Sequence, residues 1–346
     1  MNTNQSRSDI NRSHTNRRQF CKNALLLAGL TPFSPLESFF ELSNAFASPD
    51  IQKKMHKQAR YVMGTILDMR VFDQDKEKTN QFFTEAFELA DRLDNLLSNH
   101  KNSSEISKLN SGKKIRISNY TKEVLDYGRQ FQNKTENKFN ISVMPLIKLW
   151  KEASSKDIFP SDLEIAKAKE LSTTKTIDNQ GDYYYLADEK ASIVTGGIGK
   201  GYAVEKIKNL LKKYSIDSAL INFGHSTIYA HGSPEGQDSW KVALRFPNEE
   251  IKGVISLKNE AASASSAFGE SYRISGKKLG HIINPLTGMP VKEKRLVAIT
   301  SKSSLMAEVA SSEAVLSKRT YLNSGDFGMY LQDSKETNIF GSMNFQ

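Results

Sequence analysis

Cys21 is the only cysteine in the 346 residues, and this limits the architectures open to the chain. No disulfide framework and no thiolate metal site can brace the residues beyond it. The fold must close around a hydrophobic core of its own. The roughly 300 residues beyond position 47 suffice for that, since chains of this length bury about 75 % of the surface they expose when unfolded.

Cys21 itself lies in Asn16-Arg17-Arg18-Gln19-Phe20-Cys21-Lys22. An arginine pair, a polar residue, a large apolar residue and a lysine form the pattern read by the twin-arginine translocase. The apolar run Ala24 to Leu30 is far shorter than the roughly 20 residues a membrane span needs and suits the middle of a signal peptide. Ala45-Phe46-Ala47 supplies a small-x-small cleavage pattern. Their order predicts a signal over 1–47, a short linker over 48–57 and one domain over 58–346, exported by the twin-arginine route to the periplasm. Cys21 precedes the apolar run, which argues against a lipoprotein.

The formal net charge is +9, and the five Lys/Arg and three Asp/Glu of residues 1–47 leave +7 for the remainder. These basic residues are scattered. Nucleic-acid binders concentrate them in a stripe with interleaved aromatics, so no nucleic-acid partner is expected. Small phosphate-bearing ligands remain compatible.

Helix and strand patterns alternate without a repeat. Residues 60–73 are rich in β-formers around a central glycine and read as two strand segments or one bent strand. Phe82, Phe83, Ala86, Phe87, Ala90, Leu93 and Leu97 form one stripe of a helix over 79–98. Further helices are predicted over 121–135, 161–170, 201–214 and 305–316. Strands are predicted over 218–223, 239–246, 296–300 and 328–332, with a hairpin over 182–194 whose first arm is Tyr183 to Leu186. The mixture points to an α+β domain with largely antiparallel sheets and flanking helices. Residues 265–295, rich in Gly, Ser and Pro, read as a long functional loop.

Three constellations carry possible chemistry. Thr195-Gly196-Gly197-Ile198-Gly199-Lys200-Gly201 lies between a strand and a helix, where glycines allow close backbone approach and a helix N-terminus favours an anion. It is not a P-loop: Gly201 follows Lys200 where Ser or Thr is needed, and Val194 stands where the first glycine belongs. His281-Ile282-Ile283-Asn284-Pro285-Leu286-Thr287-Gly288-Met289-Pro290 enters a turn by composition. Glu308 and Ser312, four residues apart on one helical face, are oxygen donors of the kind Mg²⁺ accepts beside phosphates. Taken singly, each also has a plain structural reading: a tight turn, a structural histidine, an exposed glutamate.

Gly196-Gly197-Ile198-Gly199-Lys200-Gly201-Tyr202-Ala203-Val204-Glu205 resembles the glycine-rich signature of the ApbE family, the FAD:protein FMN transferases. Other stretches match in the family's order. They are Met63-Gly64-Thr65; Leu97 to His100 with Ser104 to Asn110; Phe139 to Leu146 with Trp150; Asn222-Phe223-Gly224; the serines at 263–266; the His281 turn; and residues 307–312. The resemblance runs from about residue 58 to the C-terminus.

The resemblance implies a single α+β domain of the tunnelling type that takes FAD as substrate. It implies Mg²⁺-dependent transfer of the FMN half onto a Thr or Ser hydroxyl of an exported or membrane-bound redox protein, with release of AMP. Glu308 and Ser312 then take side-chain positions of the metal site, Gly197 supplies a main-chain carbonyl, and Ser311 stands at another metal-site position. Met63, His100, Phe139, Asn140, Lys200 and Ile282 fall at or near flavin-contact positions. His281 matches the family histidine and, neutral near pH 7, is suited to take the acceptor's proton. The family usually has Asp at positions 140, 194, 284 and 308, Gly at 225 and Thr at 312. Val194, Asn140 and His225 keep alternatives open: a non-catalytic periplasmic FAD-binding protein, or hydrolysis of FAD to FMN and AMP. A purely structural secreted domain would bind no flavin.

Overall fold

The computed structural model describes residues 33–35, 53–173, 176–245, 251–268, 271–322 and 327–346. The arginine pair, apolar run and cleavage triplet of the expected signal lie outside the described residues.

After a short strand β1 (Phe33–Pro35), residues 54–73 form a hairpin of β2 (Lys54–Val62) and β3 (Thr65–Asp73). It turns on Met63 and Gly64, with φ of 51° and 76°, the doubly left-handed geometry that suits a two-residue hairpin. β2 thus begins inside the expected linker. Helix α1 (Lys76–Leu97) buries the whole predicted stripe, and its N-cap Asp75 accepts the Lys78 amide. Next come α2 (Glu105–Asn110), β4 (Ile115–Arg116), α3 (Asn119–Lys134) and α4 (Met144–Lys156). Helix α4 is not among the helices expected from the sequence pattern. Pro145 sits in the first turn, where its missing N–H breaks no bond. Helix α5 (Asp162–Glu170) starts at Ser161, whose hydroxyl and the Glu164 carboxylate complete a capping box.

The hairpin expected over 182–194 lies earlier in the chain. Its arms are β5 (Ile177–Gln180) and β6 (Tyr183–Leu186), so Tyr183 to Leu186 is the second arm. Gly181, at φ 59°, takes the left-handed position that sets the turn there. Beyond α6 (Gly199–Lys213) come β7 (Ala219–Phe223), β8 (Thr227–His231), β9 (Trp240–Arg245), β10 (Ile251–Leu257) and β11 (Glu260–Ser266). The stretch expected as a long loop holds a hairpin, β12 (Ser271–Ile274) with β13 (Lys277–Gly280). The chain then runs through β14 (Leu296–Ser301), α7 (Ser304–Ser317), β15 (Gly328–Gln332) and β16 (Thr337–Gly341).

Eight strands make the central sheet in the order β2-β3-β7-β8-β11-β14-β15-β16, and every adjacent pair is antiparallel. Side chains alternate between its two faces, and both faces are covered. Ile221, Phe223, Tyr229, Ala261, Val297 and Ile299 join the apolar sides of α1, α6 and α7 in the main core. Leu220, Ile228, Ala262, Ala264, Leu296 and Ala298 point the other way, onto Trp240, Val242, Leu244, Ile255 and Leu257 of β9 and β10. A smaller cluster joins Leu146 and Trp150 of α4 to Ile274, Leu279 and Ile283. The α+β, largely antiparallel architecture expected from the sequence is the one observed.

Candidate active site

Helix α7 is apolar or small on nearly every side, so most of it lies buried between β11, β14 and α6. Embedding it buries Glu308, which is 3 % exposed. An isolated buried carboxylate is strongly unfavourable, so its partners decide the geometry. Helix α6 begins at Ile198 with no side-chain cap, leaving first-turn N–H groups to be satisfied from elsewhere. Glu308 supplies this: its Oε2 accepts the Gly201 N–H at 2.6 Å, and its Oε1 pairs with Lys200 Nζ at 2.9 Å. The positive end of α6 adds to the attraction. A methyl group on Gly201 would lie 2.7 Å from the Ser304 carbonyl oxygen, so only glycine permits the approach of the two helices. Glu205 ties the start of α7 to α6: its Oε2 accepts the Ser303 hydroxyl and both the amide and hydroxyl of Ser304, at 3.0–3.1 Å.

The glycine-rich turn ahead of α6 is braced from behind by the 97–110 stretch. Asn110 exchanges two hydrogen bonds with the Ile193 backbone, at 2.7 and 2.9 Å, and Asn99 donates to the same carbonyl at 2.7 Å. The Thr195 hydroxyl donates to the Leu97 carbonyl. Beside the turn runs a chain of hydroxyls. Because β11 alternates, Ser263 and Ser265 face α7 while Ala262 and Ala264 face the opposite core. Ser265 lies 2.9 Å from the Ser311 hydroxyl and 3.3 Å from that of Ser312, and Ser263 lies 3.2 Å from Thr227.

These elements line one cavity of about 670 Å³. Its lining combines apolar side chains, among them Phe139, Ile141, Ile147 and Ile282, with Lys200, Glu308, Ser312 and the Gly196-Gly197 turn, and Phe139 lies directly beside that turn, 3.3 Å from where a methyl on Gly197 would sit. His281 lines it too, at the end of β13, where its N–H donates to the Ala267 carbonyl. The turn after it is pinned by Asn284, whose Oδ1 accepts the amides of Leu286 and Thr287, and by Trp150, which donates to the Gly288 carbonyl at 2.7 Å. A largely apolar cleft with a few convergent polar groups is the usual form of a small-molecule site.

Of the sequence-predicted residues, Phe139, Asn140, Gly197, Lys200, His281, Ile282, Glu308 and Ser312 line this cavity. Ser311 does not: it is fully buried and donates to the Glu308 carbonyl, behind the wall. Met63 packs beneath the turn, its Cε 3.2 Å from where a Gly199 methyl would be. His100 lies outside the cavity lining, after α1, with its amide on the Ser98 hydroxyl. The Asn140 amide braces the wall, donating to the Ser172 carbonyl at 2.9 Å and accepting the Ser142 N–H at 2.6 Å. Val194 contributes an apolar part of the lining, and its N–H donates to the Ile141 carbonyl. His225, at φ 50°, follows Gly224 in the β7–β8 turn and is held by Asn222. Sequence reasoning missed Lys138, Ser226 and Tyr272, which also line the cavity; single polar or aromatic residues without a partner at a fixed spacing give no sequence signal.

The sequence matches the family model for ApbE over residues 63–321. The chain belongs to the ApbE family. Among relatives, it is 31% identical to an FAD:protein FMN transferase of Buchnera aphidicola over 235 residues, covering 64% of this chain and 68% of that one. It is 26% identical to the FAD:protein FMN transferase of Salmonella typhimurium over 250 residues, covering 69% and 71% of the two chains. The fold resembles a crystal structure of the Pseudomonas stutzeri flavinyl transferase ApbE in its apo form, with a TM-score of 0.71 at 19% identity over 86% of this chain and 96% of that one. A flavin transferase ApbE from Vibrio cholerae gives a TM-score of 0.69 at 18% identity, covering 84% and 97%. In this ApbE-family chain the glycine-rich turn, the His281 turn and the Glu308 helix, far apart in sequence, meet at one cavity.

Proposed function

We propose that this ApbE-family protein is an Mg²⁺-dependent FAD:protein FMN transferase acting on exported or membrane-bound redox proteins. The observation that carries this is the convergence of His281, Lys200, Glu308 and Ser312 at one cavity whose remaining lining is apolar enough for a flavin ring. In the reaction, the hydroxyl oxygen of an acceptor Thr or Ser attacks the FMN phosphorus of FAD. The diphosphate P–O bond breaks, and AMP leaves with the bridging oxygen.

The donor set fits magnesium. It consists of hard oxygens: the Glu308 carboxylate, the Ser312 hydroxyl and the Gly197 carbonyl, with Ser312 Oγ only 3.9 Å from where a methyl on Gly197 would sit. Among the described residues no cluster of three or more His, Cys, Asp or Glu could hold a metal. That suits an ion that keeps several waters in its shell, some of which give way to substrate phosphates when FAD binds. When bound, Mg²⁺ offsets the charge that develops on the diphosphate oxygens. Glu for the usual Asp keeps the charge, and Ser for the usual Thr keeps the hydroxyl. Ser265 orients Ser312 through their shared hydrogen bond. Lys200 offers a cation to the diphosphate, Phe139 and Ile282 exclude water, and His281 takes the acceptor proton. The export signal over residues 1–47 would place this chemistry in the periplasm.

Incubation with FAD, Mg²⁺ and an acceptor domain should give a fluorescent flavin band that survives a denaturing gel. Intact FAD and no covalent band from a competent acceptor would reject the proposal.

A further inference from the structure

We propose that Lys200 is a displaceable counter-cation for Glu308. Its ammonium holds Oε1 of the carboxylate while no divalent ion is bound, and yields that oxygen when the ion arrives. This rests on the magnesium reading above and assigns Lys200 a role beyond contact with the flavin nucleotide.

The two oxygens of Glu308 are held unequally. Oε2 accepts a main-chain N–H from Gly201, which lies so close to the start of α7 that a methyl there would meet the Ser304 carbonyl oxygen at 2.7 Å. Oε1 is held by a side chain on a flexible four-carbon stem. That side chain is 24% exposed, against 5% for Glu308, and it lines the cavity. Its other polar contact is weak, a 3.4 Å approach to the Gly196 carbonyl. Lys200 is therefore anchored by one charge and free to swing about its stem, whereas Glu308 stays fixed. A buried carboxylate needs a cation, and Lys200 keeps the site folded before metal binding. An ammonium and a divalent ion cannot share one oxygen without strong repulsion. The ion must displace the ammonium, and the released Lys200 stays within the cavity, beside the site of the diphosphate. Metal affinity is thereby lowered by the work of breaking the ion pair.

The test is a Mg²⁺ titration of the full chain without FAD, read as the thermal unfolding midpoint. Lys200→Met removes the charge and keeps the length of the arm. Its metal-free midpoint should fall below the parent's, its Mg²⁺-induced rise should be larger, and its apparent Mg²⁺ affinity should increase at least about tenfold. Lys200→Arg, which holds the carboxylate with a planar, permanently charged group, should shift the titration to higher Mg²⁺. It also carries the test if Lys200→Met does not fold. Glu308→Gln should abolish the response. Superimposable titrations of the parent, Lys200→Met and Lys200→Arg would overturn the inference and leave the magnesium site standing. A Mg²⁺ response absent from the parent, or undiminished in Glu308→Gln, would overturn both.

Discussion

Replacing Gly201 by alanine probes the joint on which the site is built. The added methyl would lie 2.7 Å from the Ser304 carbonyl oxygen and 3.0 Å from both Cβ and Oε2 of Glu308. The nearest obstacle is backbone, so relief requires α6 and α7 to separate. Overpacking of this kind costs about 1–3 kcal/mol. Separation also weakens the charge-assisted bond from the Gly201 N–H to Glu308, worth about 1.5–3 kcal/mol. Alanine's better helix propensity offsets about 1 kcal/mol. The net loss of about 1.5–5 kcal/mol corresponds to a fall in Tm of roughly 3–10 °C, at about 2 °C per kcal/mol for a domain of this size. Scanning calorimetry of the variant, with and without Mg²⁺, measures it. A Tm within about 1 °C of the parent, with an unchanged Mg²⁺ response, would refute the wedge at Gly201.

Three further outcomes are expected. His281→Ala should slow covalent flavin transfer by about 10²–10⁴-fold while FAD binding, followed by absorbance titration, stays near the parent's; equal transfer rates would remove His281 from the chemistry. Asn110→Ala loses both hydrogen bonds to Ile193, which should cost about 1–3 kcal/mol in urea unfolding and weaken FAD binding because the glycine-rich turn loses its brace. Burial pushes the Glu313 carboxyl above the usual range, despite hydrogen bonds from the Ser317 hydroxyl and the Tyr321 amide. The stability linked to this group is present below the ordinary carboxyl pKa and is lost as pH rises through the raised value. Glu313→Gln should therefore flatten the decline of Tm as pH rises above the ordinary carboxyl range; parallel curves for variant and parent would contradict this.

The elements legible in the sequence are those whose signal is local. The α1 stripe repeats at helical spacing over its length, and α5 carries its own capping box. β11 is different. Its Ala- and Ser-rich sequence has poor strand propensity, yet it occupies the middle of the central sheet because only small residues leave room for α7 against it. Helix α4 goes unpredicted, and its Pro145 is tolerated only because it falls in the first turn, a position known only once the helix boundary is. The motifs named segments that come together at the cavity, and their spacing did not reveal depth. Ser311 and Ser312 are adjacent in sequence, but the helix turns one into the interior and the other to the cavity. Asn99 and Asn110 lie in a stretch that matches the family's order, and only the structure shows their amides spent on Ile193. The ion pair of Lys200 with Glu308 joins residues 108 positions apart, and no periodicity links them.

The central claim is tested most directly by the stoichiometry of AMP release against covalent flavin. The purified protein is incubated with FAD and Mg²⁺, with and without an acceptor domain bearing a Thr or Ser attachment site. AMP is quantified by chromatography, and acceptor-bound FMN by intact mass. Transfer predicts one AMP for each flavinylated acceptor and negligible AMP when the acceptor is omitted. AMP released equally without acceptor would show hydrolysis instead. FAD that stays whole in the presence of a competent acceptor would contradict an enzymatic role altogether.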